Sequence, residues 1–173
     1  MKKNNTIKLR EWRLSDAASL AENINNPNVW DNLRDALPKP YSEADGKEFI
    51  GFVLAQPKPA TILAIEVDGK VVGSIGVTLR TDVERITAEI GYYLGENYWN
   101  KGIMTEAIKQ MTTYAFTNFP YLRKIYATPF DFNTASHKVL EKAGFEREAI
   151  LKQAAIKYDK VVDMYYYSLF RKN

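Results

Sequence analysis

Residues 88–107 read A-E-I-G-Y-Y-L-G-E-N-Y-W-N-K-G-I-M-T-E-A, and the fold turns on how this stretch changes period. From Ile86 to Leu94 the residues alternate and are rich in aromatics, which predicts a strand. From Ile103 onward Ile103, Ala107, Ile108, Met111 and Ala115 fall on one face at helical spacing, which predicts a helix to about Asn118. Gly95 and Gly102 bracket the join, with Asn97, Asn100 and Lys101 between them. A strand that enters a helix through a glycine turn leaves the helix's first N–H groups outside its own hydrogen-bond ladder. With the helix dipole, those donors favour a phosphate or another anion.

Upstream, the alternation from Ile7 to Leu14 predicts a first strand, and Leu14-Ser15-Asp16 opens a helix with Ser15 or Asp16 as its cap. Asn25-Asn26-Pro27-Asn28 ends that helix, and residues 27–41 read as loop or short helix. Ser42 and Asp45 form a capping box for a helix to about Gln56, with Phe49, Ile50, Val53 and Leu54 on its apolar face. Ile62–Val67 and Lys70–Arg80 flank Asp68-Gly69, a two-residue type I′ hairpin signal, and lead antiparallel into the central strand.

Downstream, Phe119-Pro120-Tyr121 breaks the long helix and Lys124–Thr128 is a short strand. Asn133 caps a helix to Ala143, which Gly144 closes, and two strands follow around a loop at Lys157–Lys160. The expected order is β-α-α-β-β-β-α-β-α-β-β, a mixed α/β (α+β) sheet in a single domain spanning residues 1–173.

Composition narrows the function. The 173 residues are 46% hydrophobic and 26% charged, ordinary for a globular chain. There is no Cys and one His, His137, which excludes thiolate chemistry and argues against a histidine metal site, so no metal is expected. A net charge of +3 with basic residues spread along the chain points away from nucleic acid. No apolar run approaches a membrane span, and Met1-Lys2-Lys3-Asn4-Asn5-Thr6 lacks a secretory core, so the expectation is a cytoplasmic protein without membrane contact, monomer or homodimer.

Individual residues admit two readings each. Glu89, in mid-strand, is either a general base or a carboxylate that reaches the sheet rim to pair with Lys or Arg. Tyr92, Tyr93, Tyr98 and Trp99 are either core or part of a ligand site. Lys101 either touches a phosphate or is simply exposed. Asn133 caps its helix, Ser136 lies on the same side of it, and His137 reads as a partly exposed helix residue.

Several of these pieces together resemble one family. Trp99-Asn100-Lys101-Gly102-Ile103-Met104-Thr105-Glu106-Ala107 after E-I-G-Y-Y-L is similar to the acetyl-CoA pyrophosphate loop of the GNAT N-acetyltransferases, and N-T-A-S-H-K-V-L-E-K-A-G-F, Asn133 to Phe145, resembles that family's second motif. The opening I-K-L-R-E-W-R-L-S-D-A, the R-E-A at 147–149, Asp163 and Tyr167-Ser168-Leu169 resemble the ribosomal-protein alanine N-acetyltransferase (RimJ/RimL-like) branch.

The resemblance implies a twisted sheet that opens between the central strand and Lys124–Thr128. It implies acetyl-CoA as acetyl donor, its pantetheine arm along Tyr92, Tyr93 and Leu94 and its pyrophosphate on Trp99, Asn100, Lys101, Gly102, Ile103, Met104 and Thr105, with contacts from Asn133 and Ser136. The acceptor would be a primary amine, a peptide N-terminus or a small molecule, attacked directly, with Glu89 as base. The sequence departs from the pattern at Trp99 and Met104, which bracket a loop whose only glycine is Gly102, and at Leu140, where many members carry a tyrosine that protonates the thiolate. Ser136, a water or another tyrosine would then serve, unless no acid is needed. A non-catalytic acyl-CoA-binding regulatory domain and a nucleic-acid-binding or ribosome-binding module are the rival readings.

Overall fold

The computed structural model describes residues 6–172. The strands are β1 (Ile7–Arg10), β2 (Ile62–Val67), β3 (Lys70–Leu79), β4 (Thr87–Leu94), β5 (Lys124–Ala127), β6 (Glu146–Lys157) and β7 (Lys160–Phe170). The helices are α1 (Ala17–Ile24), α2 (Pro27–Trp30), α3 (Glu43–Leu54), α4 (Ile103–Asn118) and α5 (Thr134–Lys142). The strands form a seven-stranded sheet in the order β1-β2-β3-β4-β5-β7-β6. The chain divides into two compact units: one runs up to Gly76 and adds Tyr92–Met111, and the other comprises Val77–Gly91 and the chain from Thr112.

In the first unit β1, β2 and the start of β3 pair antiparallel. Asp68 and Gly69 take φ of 48° and 82°, the positive values a type I′ turn demands. The core joins Trp12, Leu20, Ile24, Tyr41, Ile50 and Val53, with Phe49 edge-on to Trp12 at 5.9 Å. Ser42 and Asp45 form the expected capping box on α3. Leu54, expected on the apolar face of α3, is instead 38% exposed at the last residue of the helix.

The first strand is shorter than its alternation suggests. After Arg10 the chain turns so that Trp12 can bury its ring. Asp16 does not cap α1. Its carboxylate accepts the Arg13 N–H at 2.8 Å and the Arg10 guanidinium at 2.7 and 3.0 Å, so it anchors the turn before the helix. Burial alone would raise the Asp16 carboxyl, but the Arg10 guanidinium and the Arg13 N–H outweigh it and hold the carboxyl below its ordinary range. The segment 27–41 contains the short α2, with Asn26 accepting from the Asn28 N–H at its start.

In the second unit β4 runs parallel to β5 over three register pairs only, Thr87 with Lys124, Ala88 with Ile125 and Glu89 with Tyr126. The strand β5 then ends at Ala127. On its other side β5 pairs antiparallel with β7, and β7 with β6. Ala88 is in register with Ile125 and Ala127 with Tyr167, all of them buried, and Leu140 on α5 is buried as well. Because side chains alternate across a strand, Glu89 and Tyr126 lie on the opposite face. Asn133 accepts the Ser136 N–H and caps α5, and Gly144, at φ 95°, closes it.

Candidate active site

In the first unit the join between β4 and α4 has the geometry the sequence calls for. After Leu94 a 3-10 turn, Glu96–Tyr98, leads to Trp99 in an extended conformation. Asn100 and Gly102 then take φ of 60° and 76°, left-handed values at which a side chain costs about 1–2 kcal/mol and glycine nothing. A Cβ built on Gly102 meets no atom within 4 Å, so backbone conformation and open space, rather than crowding, explain the glycine. Gly95 answers a different need: a Cβ there would lie 2.0 Å from Asn23 Oδ1.

The first bond of the α4 ladder runs from Glu106 N to Gly102 O at 3.1 Å. The N–H groups of Ile103, Met104 and Thr105 therefore lie ahead of that ladder, at the positive end of a 16-residue helix. Ile103 and Met104 bury their side chains, so what they offer an anion is backbone.

The side chains of the loop are spent on the loop itself. Trp99 Nε1 donates to Leu94 O at 2.7 Å. Lys101 Nζ donates to Asn97 O at 2.7 Å and lies 5.5 Å from the Tyr98 ring centroid. Leu94 is buried, and the Tyr93 ring packs against the first unit's core. The Tyr93 hydroxyl is shut away without a hydrogen-bond partner, and burial, followed by the proximity of Tyr41, pushes it far above the ordinary tyrosine range. Tyr92 is half-buried.

Sequence reasoning missed the support of the turn: Asn26 Nδ2 and Asn28 Nδ2 donate to the two Glu96 oxygens at 2.5 and 2.7 Å. A polar hollow of about 130 Å³ lies beside it, lined among others by Glu22, Asn23, Lys70 and Glu96.

In the second unit Glu89 has both the burial of a site residue and the partner of a structural one. Its side chain is 28% exposed. Arg80 Nη2 donates to Oε2 at 2.8 Å, and Thr128 Oγ1 donates to Oε1 at 2.7 Å. The same guanidinium donates through Nε to Tyr126 Oη at 2.6 Å. Arg80 was legible as the last residue of the β3 return strand, whose Arg80 N–H to Thr87 O bond brings it beside β4. Tyr126 and Thr128 arrive through the parallel β4–β5 register, which no local pattern announces.

On α5, Asn133 Oδ1 accepts the Ser136 N–H at 3.1 Å, and Ser136 is 8% exposed. His137 is buried rather than partly exposed: its ring lies 4.6 Å from that of Tyr165, and Nε2 bonds Asp131 O at 3.0 Å. Leu140, in the place of the usual tyrosine, is fully buried. Among the described residues no helix is long and apolar enough to cross a membrane, and no group of three or more metal-ligating side chains forms.

Comparison with known proteins accounts for this architecture. Residues 6–146 match the Acetyltransferase (GNAT) domain family. The chain is 31% identical over 169 residues to Uncharacterized N-acetyltransferase p20 of Bacillus licheniformis, covering 96% of this chain and 93% of p20. The fold superposes on the Microcin C7 self immunity acetyltransferase MccE, solved with acetyl-CoA and AMP, with a TM-score of 0.83 and 26% identity over 99% of this chain and 96% of that one. It also matches the fold of the ribosomal-protein-S5-alanine acetyltransferase of Vibrio fischeri, with a TM-score of 0.81 and 21% identity over 95% of this chain and 92% of that one. With the family match spanning most of the sequence and p20 aligned nearly end to end, the chain belongs to the GNAT family of N-acetyltransferases.

Proposed function

We propose that the protein transfers an acetyl group from acetyl-CoA directly to a primary amine, with a protein N-terminal α-amine as the first acceptor class to test and small-molecule amines as the second. The observation that carries the donor half is the α4 N-terminus, where the N–H groups of Ile103, Met104 and Thr105 precede the helical ladder and Gly102 opens the approach. A pyrophosphate on the backbone of Trp99–Thr105 would receive those donors and the positive end of the helix dipole. The strand end at Tyr92, Tyr93 and Leu94 would take the pantetheine arm through its backbone, since Leu94 is buried and the Tyr93 ring packs on the core. Asn133 and Ser136, at the start of α5, would contact the acyl end of the donor.

The acceptor must be neutral to attack. A peptide α-amine has a pKa of about 7.7–8.0 and a lysine-like amine about 10.4, so a proton acceptor is needed at neutral pH. Glu89 fills that role in this reading, oriented by Arg80 and Thr128. The amine attacks the thioester carbon, the C–N bond forms, the C–S bond breaks, and the ammonium proton passes to Glu89 directly or through water. A general base of this kind is worth about 10²–10⁴ in rate. Backbone N–H groups of β4 are the candidates for stabilising the carbonyl oxyanion. The chain has no cysteine, which agrees with direct attack rather than a thiol-bound acyl intermediate. The ribosomal-protein alanine acetyltransferase among the structural neighbours, together with the branch-like sequence features, supports beginning with peptides.

The test is thiol release from acetyl-CoA with a panel of acceptors: peptides with free N-termini, their N-blocked counterparts, polyamines, aminoglycosides and simple alkylamines. Release with free-amine acceptors and none with blocked ones is the expected result. Acetyl-CoA binding without release on any amine would replace this reading with a non-catalytic acyl-CoA-binding domain.

A further inference from the structure

We propose that Arg80 is a positioning residue that ties Glu89 and Tyr126 into one proton-transfer array, in which the Tyr126 phenol gives its proton to the departing thiolate. The inference rests on the reading of Glu89 as proton acceptor and supplies the other half of the reaction.

One guanidinium bridges the two groups: Nη2 donates to Glu89 Oε2 at 2.8 Å and Nε donates to Tyr126 Oη at 2.6 Å. The phenol oxygen is thereby an acceptor toward Arg80, and its own hydrogen is directed elsewhere. Glu89 and Tyr126 are register partners, the last of the three pairs of the parallel β4–β5 ladder, and β5 ends one residue later. The acid and the base thus stand side by side at the point where β5 stops. Both groups are fixed. Thr128 holds the second Glu89 oxygen at 2.7 Å, and the Tyr126 ring stacks on Tyr166 with centroids 4.9 Å apart and planes 14° apart.

The charges around the array are consistent with the role. Burial raises the Tyr126 phenol above its ordinary range while the Arg80 hydrogen bond works in the other direction, so the group is protonated at neutral pH beside a cation that stabilises the phenolate. Glu84 also acts on Arg80 from the β3–β4 turn, and Lys124 Nζ sits 5.1 Å from the centroid of Tyr166.

Other candidates for the acid are worse placed. Leu140 stands fully buried where α5 would have carried a tyrosine. Tyr167 Oη already donates to Glu141 Oε1 at 3.0 Å. Ser136 is an alcohol, a far weaker acid than a phenol.

The step balances. The amine nitrogen bonds to the thioester carbon and the C–S electron pair goes to sulfur. Glu89 takes the ammonium proton, and Tyr126 gives its proton to the thiolate. After the products leave, the proton on Glu89 returns to the Tyr126 phenolate across groups that share the Arg80 guanidinium, and the array is restored.

The experiment measures kcat and KM for thiol release with Tyr126→Phe, Arg80→Gln, Arg80→Lys and the double variant Tyr126→Phe/Arg80→Gln, beside thermal midpoints. Phenylalanine keeps the stack on Tyr166 and removes the acid together with the acceptor of the Arg80 Nε bond. Tyr126→Phe should lower kcat about 10²-fold with little change in KM for acetyl-CoA. Arg80→Gln should fall comparably and recover in part when millimolar guanidinium chloride is added, while Arg80→Lys should retain an intermediate rate. The double variant should be no worse than its poorer parent, since both changes break one array.

A purely structural Arg80 would give lower midpoints, additive losses and no rescue by guanidinium, and that pattern overturns the proposal. So does a Tyr126→Phe kcat within about two-fold of wild type. Should Tyr126→Phe disturb folding, guanidinium rescue of Arg80→Gln still decides. The two readings fail distinguishably: normal turnover in Tyr126→Phe with a slow Glu89→Gln removes this inference alone, whereas a slow Tyr126→Phe with a normal Glu89→Gln removes the proton acceptor and with it the shared array.

Discussion

Each of the two units contains an arginine that holds a carboxylate, and the two arrangements differ in what they leave available. In the first unit Arg10 is shared between Asp16 and Glu66, and the Arg10 and Asp16 side chains are each only 10% exposed. All three nitrogens of that guanidinium donate to a carboxylate or to the Glu11 carbonyl, and Asp16 also takes the Arg13 N–H. In the second unit Arg80 meets one carboxylate and one phenol, with Arg80 39% and Glu89 28% exposed. The first cluster is a closed anchor for the turn between β1 and α1. The second is open enough to exchange a partner, which a structural ion pair does not need and a proton-transfer site does. On the proposed reading, the same residue types at similar distances serve different ends, and the two clusters differ in exposure and in the identity of the third partner.

Neutralising each carboxylate tests that contrast. Glu89→Gln keeps the shape and most of the hydrogen bonding. It should lower kcat/KM by about 10²–10⁴ while acetyl-CoA still binds. The loss should shrink as pH rises, because the amine then arrives already neutral. A Glu89 that only pairs with Arg80 would instead show a lower thermal midpoint with the pH dependence of the remaining activity unchanged.

Asp16→Asn should do the reverse, costing about 1–3 kcal/mol of stability at neutral pH with the turnover of the folded protein retained. The pH dependence of that loss has a definite sign. The Asp16 carboxyl is held below its ordinary range in the fold, so its contribution is present above the unfolded value of about 3.9 and fades as pH falls through the lower folded value. Denaturant unfolding of both proteins should therefore show a gap at pH 7 that closes in acid. A gap independent of pH would mean that the ionised pair is not what stabilises the turn.

The smallest effect is expected at Lys101, a cation in neither cluster. Its ammonium is committed to the Asn97 carbonyl and the Tyr98 ring. Lys101→Ala should cost less than about 1 kcal/mol of stability. Calorimetric titration should find acetyl-CoA affinity within about three-fold of wild type. A larger loss of affinity would show that the lysine charge, rather than backbone N–H groups, holds the donor.

The backbone of the proposed donor half could be read from the sequence because its requirements are local. A helix start at Ile103, a glycine at 102 and a strand ending at Leu94 follow from period and turn chemistry within one continuous stretch. The capping of α5 by Asn133 and the Asp68-Gly69 hairpin were legible for the same reason. The acceptor half was not. Glu89 could be singled out as a carboxylate in mid-strand, but its partners Arg80, Tyr126 and Thr128 come from other segments and meet it only through sheet register. Cap propensity is a local signal: it marked Ser15 or Asp16 at the start of α1, and Asp16 stands at that position but makes no side-chain cap bond to the helix. The pull of Arg10, six residues earlier, is a consequence of how the chain turns after β1.

The measurement that bears most directly on the account is titration of acetyl-CoA into wild type, Gly102→Asn and Gly102→Asp by calorimetry, with a thermal midpoint for each. Asparagine and aspartate take a φ of 76° at a similar cost of about 1–2 kcal/mol or less and meet open space, so both variants should fold with similarly lowered midpoints. A carboxylate about 4 Å from a phosphate opposes it by up to about 4 kcal/mol at an effective dielectric of about 20. The aspartate variant should therefore lose about 10²-fold or more in affinity and the isosteric asparagine variant much less. Equal affinity in all three proteins would contradict the placement of the donor's pyrophosphate on the start of α4.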